Sequence, residues 1–192
     1  MIALLPLSGQ QAAPVAGAEW RVNGGDAWGS RYSPLDQINA SNFDKLEVAW
    51  RFKTDNLGPR PENKLEGTPI MVKGMVYATA GTRRAVVALD GRNGEMKWMY
   101  SLDEGERATR WAPRQLSGRG LSYWTDGRGD ERIFYVTTGY RLVSLNAKTG
   151  QPVATFGTNG VLDLKVGVWD TIIGYAIAFG LGVALTILIL GN

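Results

Sequence analysis

Ala88-Leu89-Asp90-Gly91-Arg92-Asn93-Gly94 and, fifty-six residues on, Ser144-Leu145-Asn146-Ala147-Lys148-Thr149-Gly150 decide how the chain is read. Each stretch takes an apolar strand end into a residue with a short oxygen-bearing side chain and closes on glycine four positions later. Asp90 or Asn146 can accept hydrogen bonds from backbone N–H groups two or three residues on, and the glycine supplies the positive φ that closes the turn. The repeat distance suits a four-stranded propeller blade carrying one long loop.

Working outward, the flanks read as short strands. MVYAT follows a Lys73-Gly74 turn, Val86 to Leu89 leads into the Asp90 turn, and Met96 to Tyr100 leaves it. The unit returns as Ile133 to Thr138 and Arg141 to Leu145 before the Asn146 turn. Four residues after Gly94 stands Trp98, a flat side chain suited to wedging between blades. Trp50 in LEVAWRF holds a similar place in the preceding unit, and Ala154 stands in that slot after Gly150. Seven Trp and twenty-five Gly among 192 residues agree with tight turns between aromatic-rich strands.

Composition narrows the chemistry. The net charge of +3 comes from mixed signs with no basic run, which disfavours a nucleic-acid partner. There is no cysteine, so disulfides, thiolate metal sites and covalent haem attachment are excluded, and no histidine, the commonest general base. Any metal would be a hard cation held by oxygen, such as calcium.

The two ends differ from the middle. Residues 1–18, MIALLPLSGQQAAPVAGA, read as a leader or clipped signal peptide, with Ala16-Gly17-Ala18 suiting a signal peptidase. Thr171 to Leu190 is an uncharged run of twenty residues; as a helix it would span roughly 30 Å, the thickness of a bilayer core. Trp169 and Asp170 mark its boundary, and Ala176, Gly180 and Ala184 make a small-residue stripe. The expectation is therefore a leader at 1–18, a partial all-β propeller of two to three four-stranded blades at 19–166, and one C-terminal transmembrane helix within 167–192. The chain is expected to be membrane-anchored with its propeller part in the periplasm.

Beyond the generic propeller pattern, WRVNGGDAWGSRYSPLDQINASNFDKLEVAWRF, KLEGTPIMVKGMVYATAG, VVALDGRNGEMKW, SGRGLSYW and LNAKTGQPVATFGTNGVLDL resemble the opening of pyrroloquinoline-quinone (PQQ) dependent alcohol and glucose dehydrogenases. The likeness covers about Trp20 to Lys165. It implies an eight-bladed propeller holding PQQ and calcium near its axis and oxidising a sugar or alcohol CH–OH group, with electrons passed to a quinone or other acceptor. Glu66, in LEGTP, matches the family's PQQ-contacting glutamate. Arg119, in GRG, matches an arginine reaching the quinone side, where a guanidinium's forked donors suit carboxylate or quinone oxygens.

Where some members carry adjacent cysteines, Pro113 and Arg114 stand here. The resemblance assigns no catalytic residue and no calcium ligand to this chain: the family's catalytic aspartate, calcium ligands and tryptophan floor lie further along. Two readings follow. One is a dehydrogenase fragment, incomplete alone or joined by a second chain that completes the ring. The other is a membrane-anchored binding or assembly module without catalytic activity.

Overall fold

The computed structural model describes residues 19–59, 66–111 and 120–166. Eight strands form two four-stranded antiparallel meanders. The first blade holds β1 (Ile70–Val72), β2 (Met75–Ala80), β3 (Ala85–Asp90) and β4 (Met96–Tyr100). The second holds β5 (Ser122–Thr125), β6 (Glu131–Val136), β7 (Arg141–Asn146) and β8 (Val161–Asp163). Between them runs a crossover containing one short helix, α1 (Glu106–Trp111).

The repeat seen in the sequence is a repeat in space. Arg92 N–H donates to Asp90 Oδ1 at 2.9 Å, and Lys148 N–H donates to Asn146 Oδ1 at 2.9 Å. Both turns close by a 2.8 Å bond from the glycine N–H to the carbonyl four residues back, with φ of +72° at Gly94 and +71° at Gly150. The units diverge afterwards. β4 resumes at Met96, but after Gly150 comes Pro152, which has no N–H to give a ladder, and the strand resumes only at Val161. Ala154 falls in the intervening loop.

The blades pack face to face. Ile70, Val72, Tyr77, Val86 and Ala88 of the first bury against Tyr123, Ile133, Tyr135, Val143 and Leu145 of the second. β3 is buried on both sides, because its alternate residues Val87 and Leu89 face a second cluster covered by Trp50, Phe52 and Leu57. Tryptophan fixes the spacing. Trp98 Nε1–H donates to Ala147 O of the second blade at 3.0 Å, and Trp50 Nε1–H donates to Gly91 O of the first at 3.1 Å.

The expected transmembrane helix is corrected. Among the described residues no helix is long and apolar enough to cross a membrane. α1 has six residues, about 9 Å of helix against the roughly 30 Å a bilayer core requires. Thr171 to Leu190, where the helix was expected, lies outside the described residues, as does the leader at 1–18. The described architecture is two all-β blades, the lower end of the expected two to three, with one short crossover helix.

Candidate functional site

Antiparallel meanders put alternate turns on opposite ends of a sheet. One rim of the blade pair carries the Lys73-Gly74 and Gly91–Glu95 turns of the first blade and the turns following β5 and β7 of the second. The other, the crossover rim, carries the segment entering β1, the turn Gly81–Arg84, the crossover with α1, the turn Thr137–Tyr140 and the end of β8.

Glu66 stands on the crossover rim, exposed, four residues ahead of β1. Its neighbour Gly67 lies so close to the end of β2 that a Cβ there would be 2.8 Å from Thr79 Oγ1, which fixes the path of the backbone past Glu66. Arg119 lies outside the described residues. The next residue, Gly120, is on the same rim, leading through buried Leu121 into β5. Glu66 and Arg119 thus hold corresponding places in the chain, just ahead of the first strand of each blade.

Charged side chains lace this rim across the blade boundary. Arg84, buried in a left-handed conformation (φ +53°), donates from Nη1 to Val136 O and Thr137 O, each at 3.1 Å. Glu104 has a side chain only 1% exposed. Its carboxylate accepts from Gly139 N–H at 2.6 Å and Arg141 Nη1 at 2.9 Å, with Thr138 Oγ1 at 3.3 Å. Arg107 donates from Nε to Gly139 O at 2.8 Å and from Nη2 to Asp163 Oδ1 at 2.6 Å. That guanidinium holds the Asp163 carboxyl below the usual carboxylate range. Thr82, Arg83, Asp103, Glu104, Ala108 and Thr138 are among the residues lining a cleft of about 200 Å³ here.

On the opposite rim, buried Glu131 accepts from Lys73 Nζ at 2.8 Å, Lys148 Nζ at 3.3 Å and Tyr123 O–H at 2.9 Å. Burial pushes its pKa up, but the bonds from Lys73, Tyr123 and Lys148 outweigh that and hold it low. This cluster ties blade to blade and stands away from Glu66.

Among the described residues no group of three or more acidic side chains is placed to hold a metal ion. Glu66 is exposed on the crossover rim, four residues ahead of β1. Sequence reasoning missed Arg84, Glu104, Arg107 and Arg141, whose partners lie 32 to 56 residues away with no local pattern to announce them.

A family model described as PQQ glucose/ethanol/alcohol dehydrogenase, β-propeller domain, matches residues 20–184, which takes in most of the apolar run as well as both blades. The quinoprotein glucose dehydrogenase of Gluconobacter oxydans is 33% identical over 79% of this chain and 20% of its own length. The dehydrogenase subunit of a quinone-linked alcohol dehydrogenase from the same organism is 37% identical over 70% of this chain and 16% of its own. The quinohemoprotein alcohol dehydrogenase of Comamonas testosteroni superposes with a TM-score of 0.61 at 28% identity, over 78% of this chain and 20% of that one. The chain spans about a fifth of the length of these relatives. With its paired antiparallel blades and matching turns, it belongs to the PQQ glucose/ethanol/alcohol dehydrogenase β-propeller family.

Proposed function

We propose that this chain is a propeller segment of a PQQ-dependent dehydrogenase that oxidises a sugar or alcohol CH–OH group, and that it contributes Glu66 and Arg119 to the cofactor site. The observation carrying the reading is the common rim: Glu66 and the residue following Arg119 both stand where the chain enters the first strand of a blade. When bound, PQQ supplies the two-electron oxidant that a CH–OH group needs. The Glu66 carboxylate would accept a hydrogen bond from the cofactor, and the Arg119 guanidinium would donate in a directional fork to a cofactor oxygen. Tight packing of Gly67 on Thr79 holds the carboxylate's backbone in place, limiting the ordering that binding must supply. Calcium enters this reading only through the family, and none of the described residues is assigned to it. Export to the periplasm is part of the proposal, supported by the small-residue stretch Ala16-Gly17-Ala18.

Equilibrium dialysis of the purified chain against PQQ, with and without calcium, tests the reading. Binding that weakens about tenfold or more in Glu66→Gln and in Arg119→Met supports it, since each removes a charge-assisted bond. A chain that takes up no PQQ, or two variants that bind it unchanged, would overturn it. Dye reduction with glucose and with ethanol then reports whether the bound cofactor turns over and on which substrate class.

A further inference from the structure

α1 has six residues and buries none of them. A helix that short has no stability of its own in water, so its orientation must come from what it touches. Two of its residues four apart, Arg107 and Trp111, share one face. They meet two residues at the end of β8 that are two apart. Arg107 Nη2 bonds Asp163 Oδ1 at 2.6 Å, and Lys165 Nζ lies 3.3 Å from the centre of the Trp111 ring. The ring of Tyr140 stands 4.9 Å from the same ammonium, so Lys165 occupies an aromatic corner built by the crossover and the β6–β7 turn. Arg110 also approaches Trp111, but at 5.5 Å and from within α1, so it cannot tie the helix to another element.

The Lys165 end of this contact is fixed independently. Lys165 N–H donates to Asp163 Oδ1 at 2.9 Å, and Leu164 N–H donates to Tyr140 O at 3.1 Å. Tyr140 in turn follows Gly139, which Glu104 and Arg107 both grip.

We propose that Lys165 is a positioning residue for the crossover rim: its ammonium, seated between Trp111 and Tyr140, holds α1 in the orientation that PQQ binding requires. This rests on the cofactor reading above. α1 contributes Ala108 and Thr109 to the wall of the rim cleft and nothing to either hydrophobic cluster. Release of the catch should therefore disturb the rim while leaving the sheets intact.

The test compares Lys165→Met, which keeps the apolar stem and removes the charge, with Lys165→Arg, which restores a cation. The full chain is used, with PQQ affinity read by equilibrium dialysis, amide exchange read over residues 102–111, and thermal melting alongside. The expected result for Lys165→Met is a PQQ affinity about five- to tenfold weaker and faster exchange across α1, with melting of the sheets unmoved and recovery in Lys165→Arg. Wild-type and Lys165→Met chains that bind PQQ equally, or exchange across α1 that does not change, would sink the inference and leave the cofactor reading standing. A wild-type chain that binds no PQQ would fail the cofactor reading itself and take this inference with it.

Discussion

The indole of Trp98 in the first blade lies against the Cα of Gly150 in the second, so close that a Cβ at Gly150 would stand 2.5 Å from its Cε3 atom. Trp50 covers Gly94 in the same way, at 2.6 Å, and the two indole N–H groups donate to carbonyls three residues before their glycines. The glycine therefore has two duties. It closes its own turn at positive φ, and it leaves a flat seat for the indole that covers it. Blade spacing follows from backbone contact with the ring, which no side chain can replace.

Gly150→Ala separates these duties. Gly127 has nearly the same φ, +72°, but a Cβ added there would meet nothing within 4 Å, so Gly127→Ala bears only the conformational cost of about 1–2 kcal/mol. At Gly150 the displaced indole adds an overpacking cost of about 1–3 kcal/mol. Urea unfolding of the two variants should rank Gly150→Ala clearly below Gly127→Ala. Equal midpoints would show that the indole seat is slack.

Glu131 sets an acid limit on stability. Its folded carboxyl titrates below the ordinary value of 4.5, so between the two values the unfolded chain binds the proton and the folded chain does not. The stabilisation is complete above about pH 4.5 and is lost as the pH falls through the folded value. Glu131→Gln keeps the shape and removes the charge. It should cost about 1–3 kcal/mol near neutral pH and flatten the acid limb of a stability-against-pH curve. A variant curve parallel to wild type would place that acid limb elsewhere.

Buried phenols at the blade boundary, Tyr77 and Tyr123 among them, set the alkaline limit. Burial, then the nearby Glu131 charge, pushes Tyr77 up to about 12, and burial with the bond donated to Glu131 pushes Tyr123 up to about 12. A raised folded value means that the stabilisation is intact below the ordinary value of 10 and is lost as the pH rises through the folded one. Absorbance at tyrosinate wavelengths should show a fraction of the tyrosines ionising late, together with unfolding. In Tyr77→Phe that late fraction should shrink. Tyrosines that all titrate together near pH 10, with the fold intact, would contradict the burial seen here.

What the sequence revealed follows from how far each signal reaches along the chain. The Asp90 and Asn146 turns were legible because the side-chain bonds and the glycine that close them lie within five residues, and Trp98 because its spacing from Gly94 identifies its slot. Thr171 to Leu190 suggested a membrane helix because hydropathy measures escape from water and does not name the apolar medium; no helix among the described residues is long and apolar enough to cross a membrane. Glu66 and Arg119 were named only by resemblance, since neither has a local pattern of its own. The crossover-rim bonds were not legible at all: Glu104 and Arg141 are thirty-seven residues apart, and nothing near either one names its partner.

Glu104 gives the sharpest test of that hidden network. Its carboxylate is sealed from solvent and serves the Gly139 N–H, the Thr138 hydroxyl and the Arg141 guanidinium together. Glu104→Ala leaves a buried N–H without its acceptor and a guanidinium without its charge partner, a loss of about 3–5 kcal/mol. Glu104→Gln keeps one acceptor oxygen for Gly139 and weakens only the pairing with Arg141, so about half of that loss is expected. Arg141 is the more exposed partner and can turn towards water, so Arg141→Met should cost less than Glu104→Ala. The double variant Glu104→Ala with Arg141→Met should then be less destabilised than the sum of its parts, by about 1–3 kcal/mol. Additive losses in that cycle would mean that the two side chains stabilise the rim independently, and that Glu104 acts through the turn backbone alone.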